Sequence, residues 1–416
     1  MTLDPEGLFR ETVARLSGER LVEEALSRSG LVGPTRVIAL GKAALGMTRG
    51  AARVLGEVSG VAATFISGAV PEGVRLLQGS HPIPDVASER AGRELLAEAA
   101  GAPAEEPLAF LISGGGSAIA ASPARGITLA DKVETTRALL HGGVPIEEIN
   151  AVRKHLSALK GGHLGARARS ARRYSFVLCD VPSGDLASVA SGPTSGDPTT
   201  FAQCLGIVRD AALPLPERVQ ARLQAGARGE IDETPKPDDP RLEGIAHVLL
   251  AAPADLSRVA SELAGERGER CAAHPLALRG SLDEWVERCV RFVRSGGRSN
   301  EATSWLALSG EPSLRIPAGA GRGGRMQHLA LLLARELSGA PFVAMCAGSD
   351  GRDGDTPHAG AQADGETARR ARGMNVDLDR AIARFDSATT CAALGVAVPA
   401  FDSGTNLCDL VLIRRG

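Results

Sequence analysis

The chain has 416 residues, with 47 lysines and arginines against 49 aspartates and glutamates, for a net charge of −2. That balance gives no electrostatic footprint for nucleic acid, and 3% aromatic residues offer few platforms for base stacking. No apolar run approaches the about 20 residues of a membrane-spanning helix, so a soluble, cytoplasmic protein with neither nucleic acid nor membrane as partner is expected.

The length suits two domains. Asp4 followed by Pro5 reads as the cap and first turn of a helix running to about Leu16. Strand and helix then alternate. Strands are predicted near residues 37–40, 63–67, 108–113 and 174–180, and helices over 43–54, 86–100, 129–140 and 149–169. Short apolar strands separated by helices predict a doubly wound parallel sheet that binds ligands at the carboxyl ends of its strands.

The first strand runs into Gly41 and Lys42, placing an ammonium at the mouth of a strand-to-helix turn that already favours anions. The P-loop pattern GxxxxGK[ST] fails here, because Arg36 and Ala43 stand at two of its positions. A solvated surface lysine is the plainer alternative. The stretch Leu108 to Ala118, LAFLISGGGSA, ends an apolar strand in Ser113, Gly114, Gly115, Gly116 and Ser117. Such a turn can aim backbone N–H groups at a phosphate, or can simply be a flexible connection.

In the segment 150–162, Arg153, Ser157 and Lys160 recur at i, i+4 and i+7 and are expected to share one helix face. Two cations and a hydroxyl suit a carboxylate or phosphate, and equally the wet side of a helix. The strand Tyr174 to Leu178 runs into Cys179 and Asp180 and, further on, Asp185. Paired carboxylates there can hold Mg²⁺ or take a hydroxyl proton, or can cap a turn.

Residues 226–244 are charged and carry three prolines, which reads as a linker between domains over 1–235 and 245–416. The second domain is expected to be a smaller α/β unit with strands near 246–251, 304–308, 341–347 and 410–413 and helices near 256–267, 282–293 and 326–337. Arg325 follows a glycine-rich loop at a helix start, a placement suited to a bidentate grip on an anion. Asp350, Asp353 and Asp355 resemble a calcium loop but lack the closing glutamate. Gly319, Gly321 and Gly324 form a literal GxGxxG. It is a weak dinucleotide match, with Pro317 just before it and bulky Arg322 and Arg325 beside it. Seven cysteines without a CxxC pair suit a reducing compartment, and the eight histidines form no metal-ligand pattern. Nothing in the sequence fixes an oligomeric state.

Taken in order, Gly41-Lys42-Ala43-Ala44, His81-Pro82-Ile83-Pro84-Asp85, Ser113 to Ser117, Asn150 to Gly162 and Asp180 to Asp185 carry a family likeness, as do Ser191-Gly192-Pro193-Thr194, Gly323-Gly324-Arg325, Gly348 to Gly354 and Gly404-Thr405-Asn406. With these motifs the chain resembles the glycerate 2-kinase family, whose relatives are often named hydroxypyruvate reductases. The resemblance implies a Rossmann-like N-terminal domain, a smaller α/β domain and an active site in the cleft between them. It implies ATP-dependent phosphorylation of the 2-hydroxyl of D-glycerate with Mg²⁺ or another divalent cation. On this expectation Lys42, Arg325 and Asp180 are catalytic, and Ser113, Gly114, Gly115, Gly116, Ser117 and Asn406 bind nucleotide or phosphate. Arg153 and Lys160, with Lys42 and Arg325, bind substrate, and Asp180, Asp185 and Asp350 hold the metal. The chain departs from the family pattern at Met326, His328, Pro357, His358 and the run Phe385-Asp386-Ser387-Ala388. Two other readings stay open at this point: an NAD(P)H-dependent hydroxypyruvate reductase, and a nucleotide-binding module without catalysis.

Overall fold

Aliphatic runs bounded by glycine and aspartate dictate the first sheet. In a computed structural model, which describes residues 3–295 and 303–416, the strands are β1 (Thr35–Leu40), β2 (Val58–Thr64), β3 (Val74–Gln78), β4 (Leu108–Ser113), β5 (Arg173–Leu178) and β6 (Ile245–Ala251). They lie in the order β3-β2-β1-β4-β5-β6, and the pairs from β3 through β5 are parallel, with Ile38 facing Val61 on one side and Phe110 on the other. Every residue of β4 is buried. A strand covered on both faces has no polar side to alternate with, which is why it reads as unbroken apolar sequence.

The helices beside this sheet begin where the sequence caps them. Val86–Gly101 starts in a capping box between Asp85 and Ser88, and Leu129–His141 in one between Thr128 and Asp131. A separate apolar cluster containing Ile149, Val152, Leu156, Phe201, Val219 and Leu223 supports the segment that carries the predicted cations.

Three expectations need correction in this region. The second strand begins at Val58 rather than near residue 63. β3 was not foreseen, because it is a short and largely half-exposed edge strand with no buried run to mark it. The helix predicted over 149–169 is two helices, Ile146–His155 and His163–Arg167. Gly161 and Gly162 between them take φ of 58° and 83°, and the Ser157 hydroxyl accepts the N–H groups of Leu159 and Lys160, a local bond that competes with helix.

The second sheet contains β7 (Cys271–Ala273), β8 (Trp305–Gly310), β9 (Phe342–Gly348), β10 (His358–Asp364), β11 (Ala397–Pro399) and β12 (Asp409–Arg415), in the order β11-β10-β9-β12-β8-β7. β12 runs antiparallel to both β8 and β9, while β7 and β8 are parallel. The helix Arg325–Glu336 is buried from Met326 through Ala334, and Leu329 and Leu333 join Trp285, Val411 and Ile413 in one core. Six consecutive apolar residues, Leu329 to Ala334, leave this stretch no polar face, as befits a helix inside a domain.

The boundary between the two units falls elsewhere than the linker 226–244. The parallel-sheet unit comprises residues 18–179 and 185–250, and the mixed-sheet unit comprises 1–17, 180–184 and 251–416. β6 lies beside β5 and so belongs to the first sheet. The first helix, Pro5–Arg15, is capped by the Asp4 carboxylate as expected. It nevertheless belongs to the mixed-sheet unit, where Phe9 meets Phe401 edge to face at 6.4 Å and Glu6 accepts a 2.7 Å hydrogen bond from Gln362. Among the described residues, no helix is long and apolar enough to cross a membrane. Among the described residues, no two cysteines form a disulfide.

Candidate active site

In the parallel-sheet unit, β1 and β4 are neighbours, and the turns that follow them are stitched together. The Lys42 N–H donates to the Gly114 carbonyl at 2.9 Å and the Ala43 N–H to Ser113 Oγ at 3.1 Å. Gly41 makes this approach possible. Its φ is 124°, and a Cβ there would lie 2.3 Å from Ser113 Oγ and 2.4 Å from the Ser113 carbonyl oxygen. Ser113 was expected on phosphate. Its side chain is instead buried, and its hydroxyl is spent on the β1 turn, accepting from Ala43 and facing the Leu40 carbonyl.

Gly115, at φ 79°, caps the short helix Gly116–Ile119. A Cβ on Gly115 would sit 3.0 Å from Lys42 Cγ and 3.3 Å from the His81 ring, so the Lys42 stem lies along the glycine loop. The sequence thus places the lysine and the triple glycine far apart, and the sheet order brings them together.

Around the loop lies a polar ring that joins four segments. The Ser117 and Ser191 hydroxyls are 2.7 Å apart, Ser191 donates to Asn150 Oδ1 at 3.4 Å, and Arg153 Nη1 donates to the same oxygen at 3.2 Å. Lys160 Nζ donates to the Ser117 carbonyl at 2.8 Å. Arg153 and Lys160 therefore meet without a shared helical face. Ala190 and Ser191 hold φ of 51° and 61°, strained values for residues with a Cβ, and the Gly161 N–H fastens the Ser191 carbonyl.

Both cations are deeply placed. Burial, then the charges of Arg153 and Lys132, pull the Lys160 ammonium well below its ordinary value, and burial lowers Arg153. Lys132, which no sequence motif marks, joins them: burial, Arg153 and Arg222 bring it down to about 7. Its Nζ donates to the Leu156 carbonyl at 3.1 Å. Among the described residues, no carboxylate pairs with Lys132, Arg153 or Lys160. Three buried cations without a counter-charge are costly, and an anionic ligand removes that cost. Nothing in the sequence separates Lys132 from a solvent-facing lysine of an amphipathic helix. Asp185, in the same unit, accepts the Ala187 N–H at 3.0 Å and the Ser188 hydroxyl, so both its oxygens serve its own turn.

The mixed-sheet unit carries the other predicted residues. Arg325 opens its helix, donating through Nε to Asp409 at 2.6 Å and through Nη1 to Glu311 at 3.0 Å. Burial works to lower its pKa, but the two carboxylates prevail and raise it. Burial in turn pushes the Asp409 carboxyl up to about 7 against the pull of Arg325. Asp353 caps the same helix, accepting the N–H groups of Met326 and Gln327 at 3.1 and 2.8 Å. This answers the GxGxxG match. A Cβ on Gly324 would fall 2.2 Å from the Asp353 carboxyl carbon, and Gly321 and Gly323 press on Asp386 and Ser387. The helix N-terminus that would receive a pyrophosphate already holds a carboxylate.

Asp180 and Asn406, expected in different roles, are hydrogen-bonded to each other at 3.1 Å, and Cys408 Sγ donates to the Asp180 carbonyl. Asp350 accepts the Arg352 N–H at 3.0 Å. Among the described residues there is no group of three His, Cys, Asp or Glu side chains suited to a metal ion. Mg²⁺ is commonly held by one or two carboxylates together with water and phosphate oxygens, so separated carboxylates such as Asp180 and Asp350 fit it better than they would fit a transition metal.

Comparison with known proteins covers most of the chain. Residues 4–224 match the model of a domain of unknown function, DUF4147, and residues 304–409 match the MOFRL family. A glycerate 2-kinase of Pyrococcus horikoshii is 33% identical over 91% of this chain and 87% of that protein. The chain belongs to the glycerate kinase family. The crystal structure of a glycerate kinase from Thermotoga maritima superposes with a TM-score of 0.84 at 29% identity, covering 99% of this chain and 98% of that one. An Agrobacterium vitis protein named "Putative hydroxypyruvate reductase" is 35% identical over 86% of this chain and 82% of its own length. Within the glycerate kinase family, then, names of both kinds occur. The two family models between them take in Lys42, the glycine loop, Arg153, Lys160, Arg325 and Asn406.

Proposed function

We propose that this chain transfers the γ-phosphoryl group of ATP to the 2-hydroxyl of D-glycerate, giving 2-phosphoglycerate and ADP. The observation that carries this reading is the buried set Lys132, Arg153 and Lys160, without a carboxylate partner among the described residues, gathered at a glycine loop along which Lys42 lies. Phosphoryl transfer asks a protein mainly for positioning and for positive charge near the equatorial oxygens.

In this reading the loop Gly114 to Gly116 and Ser117 hold phosphate oxygens, and Asn406 contacts the nucleotide. Lys160 and Arg153 hold the glycerate carboxylate, whose charge offsets theirs. Lys42 and Arg325 neutralise the migrating group. The 2-hydroxyl oxygen bonds to phosphorus as the bond to the ADP oxygen breaks, and the hydroxyl proton passes to the Asp180 carboxylate, which Asn406 orients. A divalent cation, for which Asp350 is the favoured ligand, Asp180 the alternative where it does not serve as base, and Asp185 a weaker one, would supply charge neutralisation at the phosphates. Arg325 is supported by its two carboxylates, which fix the guanidinium at a helix start before ligand arrives.

Phosphorus NMR of the product from D-glycerate and ATP tests the reading: a 2-phosphate signal is expected, and a 3-phosphate or no turnover overturns it. The reductase reading lacks a dinucleotide site at Gly319 to Gly324, and oxidation of NADH by hydroxypyruvate without ATP is expected to be absent. The expected address is the cytoplasm, consistent with a composition that has no membrane-spanning run.

A further inference from the structure

The parallel-sheet unit contains a second cationic recess, a cavity of about 450 Å³ lined by Arg125, His163, Arg167, Arg222 and Arg241 with Asp232 as the one carboxylate in its wall. None of Lys42, the glycine loop, Arg153 or Lys160 lines it. We propose that this cavity is a binding site for a phosphorylated small molecule carrying two or more negative charges, separate from the site of phosphoryl transfer.

Four guanidinium groups face one space, and two features show that it is built rather than accidental. Arg222 is fixed from three sides: its Nε donates to the His155 carbonyl at 2.9 Å, its Nη1 to the Arg125 carbonyl at 3.4 Å, and its guanidinium lies 5.6 Å from the centre of the Phe201 ring. Burial lowers its pKa, and among the described residues no carboxylate pairs with it. A guanidinium held by carbonyls keeps its full charge for a ligand, already oriented. Arg125 and Arg167 likewise lack a carboxylate partner among the described residues and stand exposed at the rim. Arg241 pairs with Asp239 at 2.6 Å and so contributes less.

His163 supports the same ligand class. Burial, then Arg241 and Arg222, pull its imidazole down to about 4, so at neutral pH it is an uncharged ring with one N–H to donate. The volume suits a small metabolite. Two or more charges are required because the wall presents several guanidinium forks and a single opposing carboxylate.

The test is calorimetric titration of the full-length protein with inorganic pyrophosphate at fixed ionic strength, with sulfate as the competing anion. Arg125→Gln combined with Arg167→Gln alters only exposed side chains, so the melting temperature is expected to hold, while pyrophosphate affinity at one class of sites falls about tenfold or more, as loss of two charge-assisted contacts demands. Asp232→Asn is expected to tighten binding severalfold. Equal affinity in wild type and the double variant overturns the proposal, as does displacement of pyrophosphate by equimolar sulfate. A loss of glycerate phosphorylation in the double variant as deep as that of Lys42→Ala also overturns it, by merging the cavity with the reaction site. The titration decides whether or not the chain proves to phosphorylate glycerate.

Discussion

Single residues carry the charge logic of this protein. Lys42→Ala and Arg325→Ala are each expected to reduce turnover by about 10³ or more, the scale on which trans-acting cations work in other phosphoryl-transfer enzymes. A melting temperature near that of the parent shows that the loss is chemical, and turnover within a few-fold of the parent overturns the roles. Lys132 predicts a pH dependence. Its folded pKa is about 7, whereas in the unfolded chain it is about 10.4. Across that window the unfolded chain binds the proton that the folded chain has shed, so stability attributable to this group rises with pH from about 7 to about 10. Lys132→Met should flatten that rise in melting temperature between neutral and alkaline pH. An unchanged slope removes Lys132 from the buried cation set. Lys42, Arg325, Asp180 and the glycines stand out in the sequence because they sit close to strand ends or helix starts, and the structure has them at those positions. Lys132 does not, since one lysine within an amphipathic helix looks the same in sequence whether it points inward or outward.

Elements decide how those residues meet. Gly41→Ala puts a Cβ into the Ser113 backbone at a φ reserved for glycine, and is expected to cost about 2–4 kcal/mol. Chemical denaturation measures this, and a cost below about 0.5 kcal/mol would mean that the two turns are not locked together. β1 and β4 were readable as strands because burial on both faces leaves only aliphatic residues. β10, HAGAQAD, was not, since alanine and glycine pack closely in a sheet without announcing a period. The helix break at 156–162 was missed because Arg153, Ser157 and Lys160 imitate a helical stripe, while Ser157 in fact bonds the backbone ahead of it.

At the scale of the whole molecule, the order β3-β2-β1-β4-β5-β6 places the two turns that hold Lys42 and the triple glycine on either side of the point where strand order reverses. That is the place where open α/β sheets bind ligands. The alternation of strands and helices made this class of sheet legible. The division of the chain did not show, because composition marks exposed loops and cannot reveal which sheet a terminal helix covers. Phe9→Ala, which removes a buried ring from a helix of the mixed-sheet unit, is expected to destabilise that unit by about 3–5 kcal/mol. Hydrogen exchange should then quicken in β9 and β12, against which this helix packs, and leave β1 and β4 protected. Equal acceleration in both sheets contradicts the assignment of the first helix.

The interleaved course of the polypeptide has a practical corollary. Because residues 1–17 and 180–184 complete a unit whose remainder starts at Ala251, no single breakpoint in the gene yields two whole halves. A fragment starting at residue 251 lacks its amino-terminal cover and the Asp180 partner of Asn406, and the complementary fragment carries both as orphans. Recombination that shuffles modules end to end therefore has no clean seam here, and the two sheets are inherited together or lost together.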